Sequence, residues 1–597
     1  MRFFKVVLAS ALGYFLAALI VIGLLFFIGI SIASSSKPDV KIPEGSVLNM
    51  KLNYPIQDRV AMDDVSLALS AIDPNKEIPI GLNDILRSID KAKTDDNIKG
   101  ILLDLTTFSA GYAKLSEIRN KLEDFKESGK FIYAYADYYY FPTYYMASVA
   151  DSVFINPQGE MSFTGIVAQV AFFSRALEKL GIEMQAVRAG KFKGAVEAYT
   201  RTGLSPENKE QIDAYVNSIF DQILGKVSKS RTLSVEQLKS DADKLELNSA
   251  SDFVEKGYLD GTVYRDQFYS AMKVRMGIDD DHKVALVSEV KYARSLGRYG
   301  TGTDKIAVIY ASGDIIGGKG DGTQIAADDM AAALKRVRLD DGVKSVVLRI
   351  DSRGGSSLAS DIIWREAKLL AETKPLVVSM GDVAASGGYY IATPGRKIFA
   401  EPTTITGSIG VFGLIPNAKK LLNDKLGIDF EYVGTGSHSD IGRIDGPMSE
   451  GERQYIESII DRIYDTFLSR VAEGRSMTKE QVHELAQGRV WTGIMAKEVG
   501  LVDEMGGLQD AIAFAASEAG LSEYRVREYP KAIDPVQAIV QKIQGNMKME
   551  NQLKEFARPL GFSSYIEHLS AFKKWGAQHS VQAMMLYDIK LTNYSLR

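Results

Sequence analysis

The residues with the clearest chemical potential lie in Gly381-Asp382-Val383-Ala384-Ala385-Ser386-Gly387-Gly388-Tyr389-Tyr390. Ser386 has alanine before it and glycine after it, so little side-chain bulk would shield its hydroxyl from a substrate. A nucleophilic serine needs that access, together with a base to take its proton. The same residue is equally suited to cap a helix N-terminus, with Gly387 and Gly388 as turn residues. The GxSxG elbow of many hydrolases is absent from the chain. Upstream, Asp351-Ser352-Arg353-Gly354-Gly355-Ser356 follows an apolar run. Gly354 and Gly355 let the backbone come close to a ligand and aim N–H groups at a developing oxyanion.

Other chemistries find little support. The five histidines (His282, His438, His483, His568, His579) show no ligand spacing, so no metal is expected. The acidic run at 279–281 reads as a solvated turn. The chain has no cysteine, which excludes disulfides, thiolate zinc and a thiol nucleophile, and suits an oxidising compartment. A net charge of −5 and a pI near 5.8 give no reason to expect nucleic acid as a partner.

The elements that must position these residues show a repeat. Asp95-Asp96-Asn97-Ile98-Lys99 resembles Asp340-Asp341-Gly342-Val343-Lys344, an offset of 245 positions (340 − 95). The same offset aligns Tyr144-Tyr145 with Tyr389-Tyr390, Pro157 with Pro402 and Gly165 with Gly410. It slips by one or two residues further on, as loop insertions would make it do. A tandem duplication over 45–290 and 300–530 follows. In the second half, apolar runs at 306–310, 346–350 and 375–379 read as strands, and 326–338 and 360–373 as helices. This alternation predicts βαβ units and an α/β fold with mostly parallel sheets in each half. Helices are expected over 449–472 and 479–485. The tail, 531–597, has no counterpart in the repeat and reads as amphipathic helices with a short apolar end near 584–586.

Residues 6–36 carry no charge, and 6–33 are overwhelmingly apolar. That exceeds the roughly 20 residues needed to span a bilayer and is about twice a cleavable h-region. Arg2 and Lys5 precede it, which favours a cytoplasmic N-terminus, residues 1–36 retained as a signal anchor, and everything downstream translocated.

The glycine-pair strand exit, the Ala-Ser-Gly-Gly-Tyr-Tyr segment ending at Tyr390 and Thr406-Gly407-Ser408-Ile409-Gly410-Val411 together resemble signal peptide peptidase A in its long, tandem-repeat form. The resemblance spans residues 1–530. It implies a Clp protease/crotonase-like fold and a Ser/Lys serine endopeptidase of the inner membrane, acting on the extracytoplasmic side. Peptide substrates, notably spent signal peptides, and a homo-tetramer or larger homo-oligomer are implied, with no cofactor. The segment Gly190-Lys191-Phe192-Lys193-Gly194-Ala195-Val196-Glu197 matches the family's Gly-Lys-x-Lys-x-x-x-Glu pattern, so Lys193 takes the place of the base. Ser386 takes that of the nucleophile, Ser408 would orient the lysine, and Gly354, Gly355 and Gly387 would form the oxyanion hole. One departure stands out: Asp351-Ser352-Arg353-Gly354-Gly355 replaces the family's Asn-Ser-Pro-Gly-Gly.

The repeat divides the labour. Phe141 stands opposite Ser386, and Ser439 opposite Lys193, so one composite site per chain is expected. A free lysine amine has a pKa near 10.4 and is no base at neutral pH, but burial can lower that by several units. Lys191 reads as surface charge, and His438 is the second choice of base. A crotonase-type acyl-CoA enzyme and a catalytically silent membrane scaffold are the alternative functions.

Overall fold

The computed structural model describes residues 40–60 and 79–530, apart from positions 108, 280 and 298, together with positions 13 and 17 and the backbone of 581–584. Parallel strands covered on both faces must be apolar nearly throughout. Residues 306–310 and 346–350 meet that requirement, and every one of them is buried. Each half builds a parallel sheet. The first runs Gly261–Thr262, Ser152–Met161, Phe131–Tyr139, Ile98–Leu103, Ser46–Met50, Leu286–Ser288, all neighbours parallel. The second runs Val490–Thr492, Ile405–Gly407, Leu376–Ala385, Val343–Ser352, Lys305–Ser312, Arg525–Tyr529. Lys397–Ala400 and Glu504–Met505 branch from its Leu376–Ala385 strand, and only the Val490–Thr492 pairing is antiparallel.

The 245-residue offset reappears in three dimensions. Ile98–Leu103 and Val343–Ser352 begin 245 positions apart (343 − 98), as do the helices Tyr112–Phe125 and Ser357–Ala371 (357 − 112). The long helices Pro206–Arg231 and Glu450–Arg475 have 26 residues each, and both begin with a serine N-cap, Ser205 and Ser449. The expected strand at 375–379 extends to Ala385, because pairing with Ile405–Gly407 continues the ladder after Lys397–Ala400 has left it.

A third sheet joins the halves. Its order is Ile325–Ala326, Ile315–Ile316, Gly354–Ser356, Val581–Met584, Val411–Asn417, Glu183–Ala189. The first-half strand Glu183–Ala189 pairs antiparallel with Val411–Asn417 of the second half, Ala189 opposite Val411. Residues 581–584 were expected within a helical tail. They form a strand instead, antiparallel to Gly354–Ser356 on one side and to Phe412-Gly413 on the other. Two open edges supply backbone partners that local helix propensity cannot offer. The rest of the tail and the apolar 6–36 segment lie outside the described residues, apart from positions 13 and 17. Among the described residues no helix is long and apolar enough to cross a membrane.

Candidate active site

Three backbone features converge on one point. After Ala189 the chain turns at Gly190, with φ of +106°, and packs so tightly that a Cβ there would lie 2.4 Å from the Gln487 carbonyl carbon. The Phe192 N–H donates to the Gln487 carbonyl at 2.9 Å. Gly488 then passes beside Lys193, and its own N–H donates to the Ile409 carbonyl at 2.8 Å. The Ser408 N–H donates to the Arg489 carbonyl at 2.7 Å. The turn 487–489 is thus wedged between the lysine loop and the Ser408 strand, and only glycine permits that contact.

Lys193 and Ser386 meet there. Nζ lies 2.9 Å from Ser386 Oγ, 2.9 Å from the Ser408 carbonyl oxygen and 3.0 Å from Ser408 Oγ. Lys193 is 1% exposed, and burial lowers its pKa to about 7. A neutral amine has two N–H donors and one lone pair. Ser408 offers two acceptors, and the Ser386 hydroxyl can donate to the lone pair, so the neutral form is fully satisfied.

Ser386 occupies the N-cap position of the helix Gly387–Ala392, but its side chain makes no capping bond. Its backbone sits at φ 56°, ψ −116°, a region that costs a non-glycine residue of order 1–3 kcal/mol. Ser408 also has positive φ, at 50°. The Ser386 N–H donates to the Gly407 carbonyl at 2.8 Å, which ties the two serines' backbones together. The small neighbours predicted an open serine, yet Ser386 has no exposed surface, because the lysine loop of the first half closes over it.

The glycine loop lies against the same helix. A Cβ on Gly388 would come 2.8 Å from the Ser352 carbonyl oxygen, and one on Gly355 would come 2.0 Å from that of Ile315. Gly354 has φ of +98°, and its N–H donates to Ser352 Oγ at 3.1 Å. Gly387 is the first residue of its helix, where N–H groups have no intrahelical acceptor.

The other residues singled out by the sequence lie away from this point. Lys191 is exposed, its Nζ 5.0 Å from the Phe192 ring centroid. His438 lies exposed beside Gly451, and Ser439 closes a turn with Gly436. Glu197, the last residue of the lysine motif, had been given no role. It is 1% exposed and accepts from the Ser205 N–H at 2.9 Å and from Asn208 Nδ2 at 3.2 Å, with Arg188 Nη1 at 3.4 Å. Burial pushes its carboxyl up, but these hydrogen bonds and the Arg188 charge outweigh it and hold the pKa below its ordinary value. Arg188 Nη1 also donates to the Lys193 carbonyl at 3.2 Å, so Glu197 braces the lysine loop. Its place in the motif was the available signal. Gln211 was missed as well: Nε2 donates to the Phe192 carbonyl at 2.9 Å and Oε1 accepts from the Val490 N–H at 3.0 Å.

Peptidase family S49 matches the chain twice, over residues 124–279 and 368–522. The chloroplastic serine protease SPPA of Arabidopsis thaliana is 34% identical over 81% of this chain and 71% of its own length. Protease 4 of Salmonella typhi is 35% identical over 76% of this chain and 75% of its own. Protease 4 of Haemophilus influenzae is 33% identical over 72% and 71% respectively. Among solved structures, a mutant ClpP1 from Listeria monocytogenes aligns with 34% of this chain and 94% of its own, at 18% identity and a TM-score of 0.24.

Proposed function

Because the chain belongs to peptidase family S49, a family of serine peptidases, we propose that it is a membrane-anchored endopeptidase that degrades spent signal peptides and other extended peptides through Ser386 and Lys193. The observation that carries this reading is the 2.9 Å approach of Lys193 Nζ to Ser386 Oγ, combined with a pKa lowered to about 7. Lys193 takes the hydroxyl proton as Ser386 Oγ bonds to the scissile carbonyl carbon. The oxyanion faces the Gly387 N–H and the Gly354-Gly355 backbone. Lys193 then gives its proton to the leaving amine, the C–N bond breaks, and an ester remains on Ser386. A water molecule, deprotonated by Lys193, hydrolyses that ester and restores the serine. Ser408 holds the amine in line through its carbonyl and hydroxyl.

An extended substrate is supported by the chain itself. Residues 581–584 already lie as a strand against Gly354–Ser356, the place where a peptide backbone would add to the sheet. Family membership favours a peptidase over the acyl-CoA and scaffold alternatives. The anchor at 1–36, the first repeat at 45–290 supplying the base, the second at 300–530 supplying the nucleophile, the extension at 531–597, and a homo-tetramer complete the proposal. The apolar span and the 245-residue repeat support its layout.

The test is hydrolysis of a synthetic signal peptide by the full chain. Ser386→Ala and Lys193→Ala should each abolish it, and the double variant should be no worse, since the two groups act as a unit. Substantial activity in Lys193→Ala would overturn the assignment.

A further inference from the structure

Lys193 is not the only lysine that the first half sends into the second. Lys114, on the helix Tyr112–Phe125, is 5% exposed, and its Nζ lies 2.5 Å from Asp351 Oδ2 and 2.9 Å from Asp382 Oδ2. Both carboxylates are fastened to the backbone as well. Asp351 Oδ1 accepts from the Val383 N–H at 3.0 Å. Asp382 Oδ1 accepts from the Lys114 N–H at 3.1 Å, and its Oδ2 from the Gly111 N–H at 3.2 Å.

The positions of these acids matter. Asp351 immediately precedes the glycine loop Ser352-Arg353-Gly354-Gly355, and Asp382 lies four residues before Ser386 on the strand that ends at Ala385. One ammonium therefore bridges the two strand ends that deliver the oxyanion donors and the nucleophile. The bridge sits where the register of these strands shifts, between Ile350 and Ser352, before the ladder resumes with Ser352 opposite Ala384. Burial alone would lower the Lys114 pKa, as it does that of Lys193. Here the charges of Asp382, Asp351 and Asp58 outweigh it and keep the pKa well above its ordinary range.

The asymmetry of the repeat is the same as for the dyad. At the 245-residue offset Lys114 faces Ala359, and Asp351 faces Thr106, so this bridge is built once per chain. A buried ion pair is weak evidence of a stabilising role, since apolar replacements are often as stable. That leaves geometry as the reason to keep it.

We propose that Lys114 is a positioning residue of the peptidase reaction, acting through Asp351 and Asp382 to fix the oxyanion loop relative to Ser386. This rests on the Ser386–Lys193 reading. It assigns to Lys114 the bridge between Asp351, at the start of the loop, and Asp382, on the strand that leads to Ser386.

The experiment measures kcat and KM for a fluorogenic peptide with the full chain, each normalised to folded enzyme by circular dichroism. Lys114→Met should lower kcat by about 100-fold, the scale on which a displacement of roughly 1 Å costs rate. KM should change less than threefold, and the pH midpoint should remain where wild type has it, because Lys193 is untouched. If Lys114→Met fails to fold, the triple variant Lys114→Met/Asp351→Asn/Asp382→Asn, which leaves no unpaired charge, carries the test and should be equally slow. A folded variant of either kind with kcat within twofold of wild type would overturn the proposal. Ser386→Ala in the same assay separates the two readings: activity there would sink the nucleophile assignment whatever Lys114 does.

Discussion

Gly488 and Lys193 are in backbone contact: a Cβ built on Gly488 would lie 2.5 Å from the Lys193 nitrogen and 2.6 Å from its Cα. Gly488 also has φ of +82°, where a side chain is strained. The lysine is therefore held from behind by a residue with nothing to give. Gly488→Ala must push either the turn 487–489 or the lysine loop away. We expect kcat to fall at least tenfold, with slower labelling of Ser386 by a fluorophosphonate probe. Wild-type labelling rates in this variant would show that the contact does not position the base.

The pH profile should report the lysine directly. Nζ accepts a proton only when neutral, so log(kcat/KM) should rise with pH and level off above an inflection near the pKa of about 7. Lys193→Arg should be inactive throughout, because a guanidinium stays protonated at any usable pH. A flat profile between pH 5 and 9 would count against the general-base role.

Stability should rise with pH as well, over a higher window. The folded pKa of Lys193, about 7, lies below the 10.5 of an exposed lysine, so the unfolded chain binds more protons between those values. The penalty is fully present below pH 7 and disappears as pH rises towards 10.5. Its full size is on the order of 5 kcal/mol, the cost of moving a lysine pKa from 10.5 to about 7. Lys193→Met should therefore be more stable than wild type in denaturant titrations at pH 6, and the gap should narrow by pH 10. A Lys193→Met chain less stable than wild type at pH 6 would contradict this.

Local signals carried much of the architecture into the sequence. The repeat was legible because helices and strands in the two halves start at one offset, as Tyr112 and Ser357 do. Strands such as Lys305–Ser312 were legible because strands buried on both faces must be apolar. Ser386 and Lys193 were legible through motifs, and the structure brings them together. What remained hidden depends on distant partners. Nothing in Glu183–Ala189 announces Val411–Asn417 as its neighbour, and nothing in residues 487–489 announces a wedge. Lys114 sits in a helix with other charged residues, where a lysine reads as a solvated face. Residues 581–584 carry no strand signal of their own, since both sides of their ladder come from elsewhere.

The proposed placement of base and nucleophile on separate halves has a temporal consequence. A chain emerging N-terminus first completes residues 45–290 while it still lacks Ser386, and a fragment containing only 300–530 lacks Lys193. With base and nucleophile so divided, neither part alone would cut its surroundings. On the proposed mechanism, the strand pair of Ala189 with Val411, which joins the halves, would also be an interlock, with peptide hydrolysis starting only once both halves have folded and docked. A protease built this way would need no removable propeptide to stay silent during its own synthesis.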